Sequence, residues 1–227
     1  MTSLKKILLG LTFLGMSFIN PTHIKPEPKP KVAVAVVDMQ EDFLRDIAPD
    51  EIKREVSYQL NVLDYAKERQ LLVYELHTVM RKHIIDNLNE ELKEYEIELL
   101  QNLGFGKTEP RLKRKLDHIN SKLVRKYDDN GFIETSLATE LREQGIEYIL
   151  LMGINACACV KKTGQGAIDN GFKIMTLKEL IASSYTGGFA CITDDGCECT
   201  KWYARNGIYK DDYKDLLEKV DEILLTQ

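Results

Sequence analysis

The residues of this chain best suited to chemistry are a thiol and a carboxylate, each set at the end of an apolar run. Tyr148 to Met152 reads as a short buried strand, Gly153 stops it, and the stretch from about Ala158 to Asn170 reads as a helix closed by Gly171. Cys159 falls in the first turn of that helix. Backbone N–H groups and the helix dipole favour an anion there, which biases a thiol toward the nucleophilic thiolate. Asp38 follows a second apolar run, Val32 to Val37, whose β-branched residues suit a central strand of a parallel sheet. In an open α/β sheet both groups would lie at the carboxyl edge, where ligands bind. Each also has a plainer reading. Buried cysteines usually pack, and an aspartate just past a strand often caps a turn.

The other candidate ligands and nucleophiles are more dispersed. Five cysteines (Cys157, Cys159, Cys191, Cys197 and Cys199) leave at least one thiol outside any intramolecular pairing. The two Cys-x-Cys pairs admit thiol redox or metal chemistry, but they lack the doubled Cys-x-x-Cys spacing of a zinc site. Cys157 either packs beside Cys159 or oxidises with it. A disulfide among Cys191, Cys197 and Cys199 requires an oxidising compartment. His77, His83 and His118 are scattered and read as surface residues, or as supports behind a site, rather than metal ligands. A net charge of −5 argues against a nucleic-acid partner. The local basic cluster Arg111, Lys113, Arg114 and Lys115 reads as a solvated helix face.

The elements that must position these groups follow from the pattern in chain order. Residues 1–20 read as a signal-like or anchoring apolar segment, with Lys5 and Lys6 before the run Ile7 to Ile19. That run is short for a membrane span, and no clear small-residue cleavage site follows it. Residues 21–30 form a proline-rich linker. If the apolar segment is a signal, the protein is exported or membrane-anchored; otherwise it is cytoplasmic. Any membrane association would run through residues 7–19. The folded domain should occupy 31–227, with a hydrophobic content of 44% that supports a full core. A strand at 32–37, an amphipathic helix at 50–70 and a strand at 71–76 make one βαβ unit. Residues 79–120, rich in Glu, Lys and Leu, read as a helical insertion, either a lid or a packing element. A short strand then leads to Lys126, a turn-rich loop spans 127–132, and a helix capped by Thr135 or Ser136 runs to Gln144. After Gly171 the pattern gives a fifth strand at 172–177, a loop at 183–200, and helices at 198–206 and 211–225. Alternating strands and helices predict a three-layer α/β/α fold with a mainly parallel, Rossmann-like central sheet.

Three separated motifs, in this order and spacing, resemble those of the isochorismatase-like cysteine hydrolases, relatives of nicotinamidases and N-carbamoylsarcosine amidohydrolases. The first is Asp38-Met39-Gln40-Glu41-Asp42-Phe43 after a strand. The second is Lys126, with Phe132 six residues on and Thr135-Ser136-Leu137 after that. The third is Gly153, Cys159, Val160, Thr163, Ala167 and Gly171. The resemblance covers about residues 31–225, apart from the insertion. It implies a catalytic triad of Asp38, Lys126 and Cys159, in which Lys126 and the helix terminus stabilise the thiolate and Asp38 carries the proton. It implies a non-proline cis peptide at Ile154–Asn155, an oxyanion hole from the Asn155 and Cys159 amides, and a substrate pocket lined by Gln40 and Phe43. The expected activity is hydrolysis of the C–N bond of a small amide, carbamoyl or ureido substrate through a thioester, in a homo-oligomer as the family commonly forms. Alternatives are a catalytically silent binding or scaffold protein on the same fold, or a thiol redox or metal protein using the Cys-x-Cys pairs.

The chain departs from the family pattern at several places. Ala156 and Cys157 stand where Thr and an acidic residue are usual, and Glu179 where Asp is frequent. Nicotinamidases bind a metal through an Asp-x-His pair and a further His after the first strand, but residues 44–66 contain no histidine. Neither a metal nor another cofactor is therefore expected.

Overall fold

Six consecutive apolar residues, Val32–Val37, are all buried and form the central strand β1. A strand covered on both faces has no polar side to alternate with, which is why its sequence is uniformly apolar. The computed structural model describes residues 31–45, 47–79, 106–183 and 198–226. The readings made on residues 1–30, on the stretch 80–105 of the insertion, and on His83, Cys191 and Cys197 lie outside the described residues.

After β1 come a short helix α1 (Glu41–Leu44), helix α2 (Pro49–Glu68) and strand β2 (Leu72–Thr78). Pro49 opens α2 at a position where its missing N–H is harmless. Helix α2 buries Val56, Val62, Leu63 and Ala66. Helix α3 (Pro110–His118) is capped by Glu109, whose side chain accepts from the Arg111 and Leu112 amides. Strand β3 (Lys122–Lys126) and helix α4 (Leu137–Glu143) follow. Strand β4 (Tyr148–Ile154) ends in a π-helical turn, Ala156–Val160, which runs directly into helix α5 (Lys161–Asp169). Strand β5 (Lys173–Leu177) leads through a 3-10 turn to the two-residue strand β6 (Ile181–Ala182). Helix α6 (Glu198–Asn206), strand β7 (Ile208–Lys210) and helix α7 (Tyr213–Leu225) complete the described chain.

The strands form one seven-stranded sheet in the order β3-β2-β1-β4-β5-β7, with β6 paired to the end of β4. Every pairing is parallel. The chain winds outward from β1 through β2 to β3, then restarts on the other side of β1 with β4. That reversal opens a crevice at the carboxyl ends of β1 and β4, the usual ligand position in such sheets. The β1–β4 register sets Val37 opposite Gly153, so Asp38 and the turn carrying Cys159 leave the sheet side by side. Gly153 is required by both conformation and space. Its φ is +130°, and a Cβ there would stand 2.0 Å from the Val37 carbonyl oxygen.

Most expected elements are present with small shifts. Strand β2 runs through His77 to Thr78, beyond the expected end at residue 76. The helix expected from Ala158 begins instead as the π-helical turn. Strands β6 and β7, two and three residues long, were not expected at all.

Candidate active site

Strand ends deliver the site. The β2–β3 register pairs Thr78 with Lys126, and Asp38 emerges from the neighbouring β1 with its amide bonded to the Leu76 carbonyl. Asp38 adopts φ 51°, a left-handed conformation that aspartate tolerates better than most residues. Lys126 is fully buried and Asp38 is 1% exposed. Such a lysine needs a partner, and it has four acceptors. Its Nζ donates to Asp38 Oδ2 (2.7 Å), Thr78 Oγ1 (2.6 Å) and the carbonyls of Asp128 (3.1 Å) and Asp129 (3.4 Å). Thr78 completes a closed set. Its hydroxyl donates to Asp38 Oδ1 (2.8 Å) and its amide to the same oxygen (3.0 Å). Buried charge is tolerable only when paired and hydrogen-bonded in this way.

Gln40, expected to line the substrate pocket, has a different task. It is 1% exposed. Its Nε2 donates to the Thr78 carbonyl and its Oε1 accepts from the Thr78 amide, both at 2.9 Å. Gln40 therefore fixes Thr78, which in turn holds Asp38 and Lys126. Phe43, the other residue expected in the pocket, is half-buried on α1 and packs against the core.

Cys159 lies in the π-helical turn, partly exposed. The Ile154–Asn155 peptide before that turn is cis. The Asn155 carbonyl accepts from the amides of Ala158 (3.0 Å) and Val160 (3.1 Å), and the Tyr203 hydroxyl donates to the Ala156 carbonyl (2.6 Å). The turn is thus held from both ends. Thr163, one turn further on, accepts from the Gly131 amide (3.0 Å) and donates to the Asp129 carbonyl (3.3 Å). This ties the loop after Lys126 onto α5. Gly166 permits the close fit, since a Cβ there would stand 2.2 Å from the Asn130 amide oxygen.

The thiol faces two carboxylates. Its Sγ donates to Asp129 Oδ1 at 3.6 Å, and the charge of Asp38 acts on it as well. Asp129 Oδ2 accepts from Lys162 Nζ at 2.7 Å. Burial pushes the Cys159 thiol well above its ordinary range, and the negative charges of Asp38 and Asp129 add to this. Lys126 pulls the other way but is already paired with Asp38. The expected bias toward the thiolate is therefore opposed by burial and by two carboxylates. Thr78, Asp129 and Lys162 are the site residues that sequence reasoning missed. The one signal in the sequence was the position of Asp129, between Lys126 and Phe132.

The other described thiols and histidines sit elsewhere. Cys157 hydrogen-bonds to Cys199, which lowers the Cys157 thiol and raises that of Cys199. Both are unoxidised. His77 Nδ1 lies 3.8 Å from Glu75, and His118 lies 2.8 Å from Lys67. Among the described residues no three His, Cys, Asp or Glu side chains converge as a metal site.

Comparison with known proteins agrees with this fold. The cysteine hydrolase of Pseudomonas syringae superposes with a TM-score of 0.65 at 20% identity, covering 87% of this chain and 99% of that one. The Staphylococcus aureus nicotinamidase gives a TM-score of 0.60 at 16% identity, covering 80% and 98%. The N-carbamoylsarcosine amidase of Thermoplasma acidophilum gives 0.56 at 18% identity, covering 80% and 96%. At such identities the likeness is one of fold. No curated protein matches the chain in sequence. The isochorismatase domain model matches residues 32–188, a span that includes Asp38, Lys126 and Cys159 and most of the sheet, and the chain belongs to the isochorismatase family.

Proposed function

We propose that the protein is a cysteine-dependent hydrolase that cleaves the C–N bond of a small amide, carbamoyl or ureido substrate through a thioester. Asp38 accepts the Cys159 thiol proton as Sγ bonds to the carbonyl carbon and the C=O electron pair moves onto oxygen. The Asn155 and Cys159 amides stabilise that oxyanion. As the intermediate collapses, the C–N bond breaks and Asp38 returns its proton to the leaving nitrogen. Water then adds to the thioester with Asp38 as base, and the acid leaves as the thiol regains its proton. Lys126 and Thr78 hold Asp38 throughout and transfer nothing.

The observation that carries this reading is the placement of a partly exposed thiol and a buried Asp38–Lys126 ion pair at one edge of the sheet, where β1 and β4 end side by side. The likeness in fold to proteins named nicotinamidase and N-carbamoylsarcosine amidase supports the amide class. The test is ammonia release from a panel of primary amides, carbamoyl and ureido compounds, with intact-mass detection of an acyl adduct. The wild type should turn over at least one compound and carry the adduct on Cys159, and Cys159→Ala should do neither. Absence of both turnover and adduct across the panel would refute the assignment.

A second reading rests on the Cys157–Cys199 contact, which makes a dithiol of the kind a redox protein uses. It requires that oxidised glutathione take two electrons from the pair and leave a Cys157–Cys199 disulfide. Peptide mapping after such treatment decides it.

A further inference from the structure

The Asp38–Lys126–Cys159 set leaves one carboxylate at the thiol unexplained. Asp129 contacts Sγ through Oδ1 at 3.6 Å, while its Oδ2 is bonded to Lys162 at 2.7 Å. The carboxylate is not adrift on a loose loop. The Asp129 carbonyl accepts from both Lys126 Nζ and Thr163 Oγ1, and the next residues are braced by the Asp128 side chain accepting from the Asn130 amide (2.8 Å) and by Asn130 Oδ1 accepting from the Phe132 amide (2.9 Å). The side chain is 19% exposed and that of Lys162 is 59% exposed, so the pair lies toward solvent from the thiol.

Resting on the hydrolase reading, we infer that Asp129 is a specificity-determining residue that accepts a hydrogen bond from the N–H of the substrate's carboxamide or ureido group. A nucleophile approaches its carbonyl carbon at about 3–3.5 Å, and the amide nitrogen lies ~1.3 Å from that carbon. With the carbon seated on Sγ, the nitrogen can reach hydrogen-bonding distance of Oδ1. The thiol surrenders its own contact with Oδ1 as its proton leaves, and the substrate N–H takes that place. Lys162 holds the second oxygen and fixes the carboxylate plane. The site then favours substrates with N–H beside the reacting group. It disfavours N,N-disubstituted amides, which offer no donor, and carboxylates, which repel Asp129.

The test reads recognition apart from turnover. Second-order rates of Cys159 alkylation are measured by peptide mass spectrometry with iodoacetamide, N,N-dimethyl-iodoacetamide and iodoacetate, each divided by its rate with free glutathione. In the wild type, iodoacetamide should lead both competitors by about tenfold or more, the worth of one hydrogen bond to a charged group. Asp129→Leu should erase the lead over the dimethyl reagent. Asp129→Asn, which keeps an acceptor and removes the charge, should retain that lead and lose the exclusion of iodoacetate. Unchanged ratios in both variants, with the fold verified by circular dichroism, would overturn the inference. A wild type that shows the preference but hydrolyses no amide would instead refute the hydrolase reading and leave Asp129 as a recognition residue.

Discussion

Lys126 Nζ lies 2.7 Å from Asp38 Oδ2, and neither side chain is more than 1% exposed. Each charge is in place because the other is, and the pair meets across the end of β2 only through the parallel register of β1, β2 and β3. Removing one member leaves an uncompensated buried charge. Lys126→Met should therefore lower the unfolding free energy by about 3–5 kcal/mol. Adding Asp38→Asn to that variant, which removes the charge and keeps the backbone preference, should restore most of the loss while leaving it inactive. Urea denaturation with a parallel activity assay checks both statements. A double variant less stable than the single one would show that the unpaired Asp38 charge is not what destabilises Lys126→Met.

Thr78 joins the two charges, accepting from Lys126 and donating to Asp38. Thr78→Val keeps the shape and removes both bonds, so stability should fall by about 1–3 kcal/mol. Turnover should fall by roughly two orders of magnitude, because Asp38 loses its orientation. Thr78→Ser should restore both quantities to near wild type. Recovery of neither by serine would assign the effect to the methyl group instead.

Much of this was readable from the chain because it depends on local pattern. The uniform apolar run 32–37 announced a central strand, and the carboxylate and the thiol marked the ends of two such runs. What could not be read depends on alignment between distant segments. Thr78 matters only because β2 pairs with β3 in a register that sets it opposite Lys126. Asp129 and Lys162 meet only because Thr163 and Gly166 let the loop settle on α5. Strands β6 and β7 are too short to show a period. The upward push on the Cys159 thiol arises from burial and from two carboxylates, one of them already paired with the lysine expected to stabilise a thiolate.

Glycine positions separate packing from backbone preference. Gly153→Ala places a methyl group 2.0 Å from the Val37 carbonyl oxygen at φ +130° and should cost more than ~4 kcal/mol, abolishing soluble expression. Gly171 also has positive φ, +88°, but a methyl group there meets nothing within 4 Å. Gly171→Ala should cost only about 1–2 kcal/mol. Equal losses from the two substitutions, measured by denaturation or expression yield, would refute the close-approach argument.

The upward push on the Cys159 thiol gives a signature of opposite signs. Burial and the charge of Asp38 push it up, so alkylation in the wild type should be slow at neutral pH and still rising above pH ~8.5. Asp38→Asn removes the negative charge that acts most on the thiol and releases Lys126 from its partner, and both changes pull the thiol down. Alkylation by iodoacetamide at pH 7 should then accelerate while hydrolysis is lost. Parallel decline of the two rates would mean that Asp38 supports the thiolate rather than opposing it.

Away from the site, Glu55 on α2 is 3% exposed. Its Oε1 accepts from Gln59 Nε2 at 2.7 Å, and its Oε2 has no partner among the described residues. Burial raises its carboxyl well above the ordinary range, and the charge of Glu51 adds to the effect. The native state therefore holds this proton at pH values where the unfolded chain, with an ordinary value of about 4.3, has released it. Stability contributed by the protonated group is full below that ordinary value and is lost as pH rises through the folded one. Glu55→Gln keeps the shape and carries no titrating proton, so its stability should decline less across the same window and exceed that of the wild type at neutral pH. Urea midpoints from pH 4 to 8 for the two proteins make the comparison, and parallel curves would mean that Glu55 is ionised in the fold.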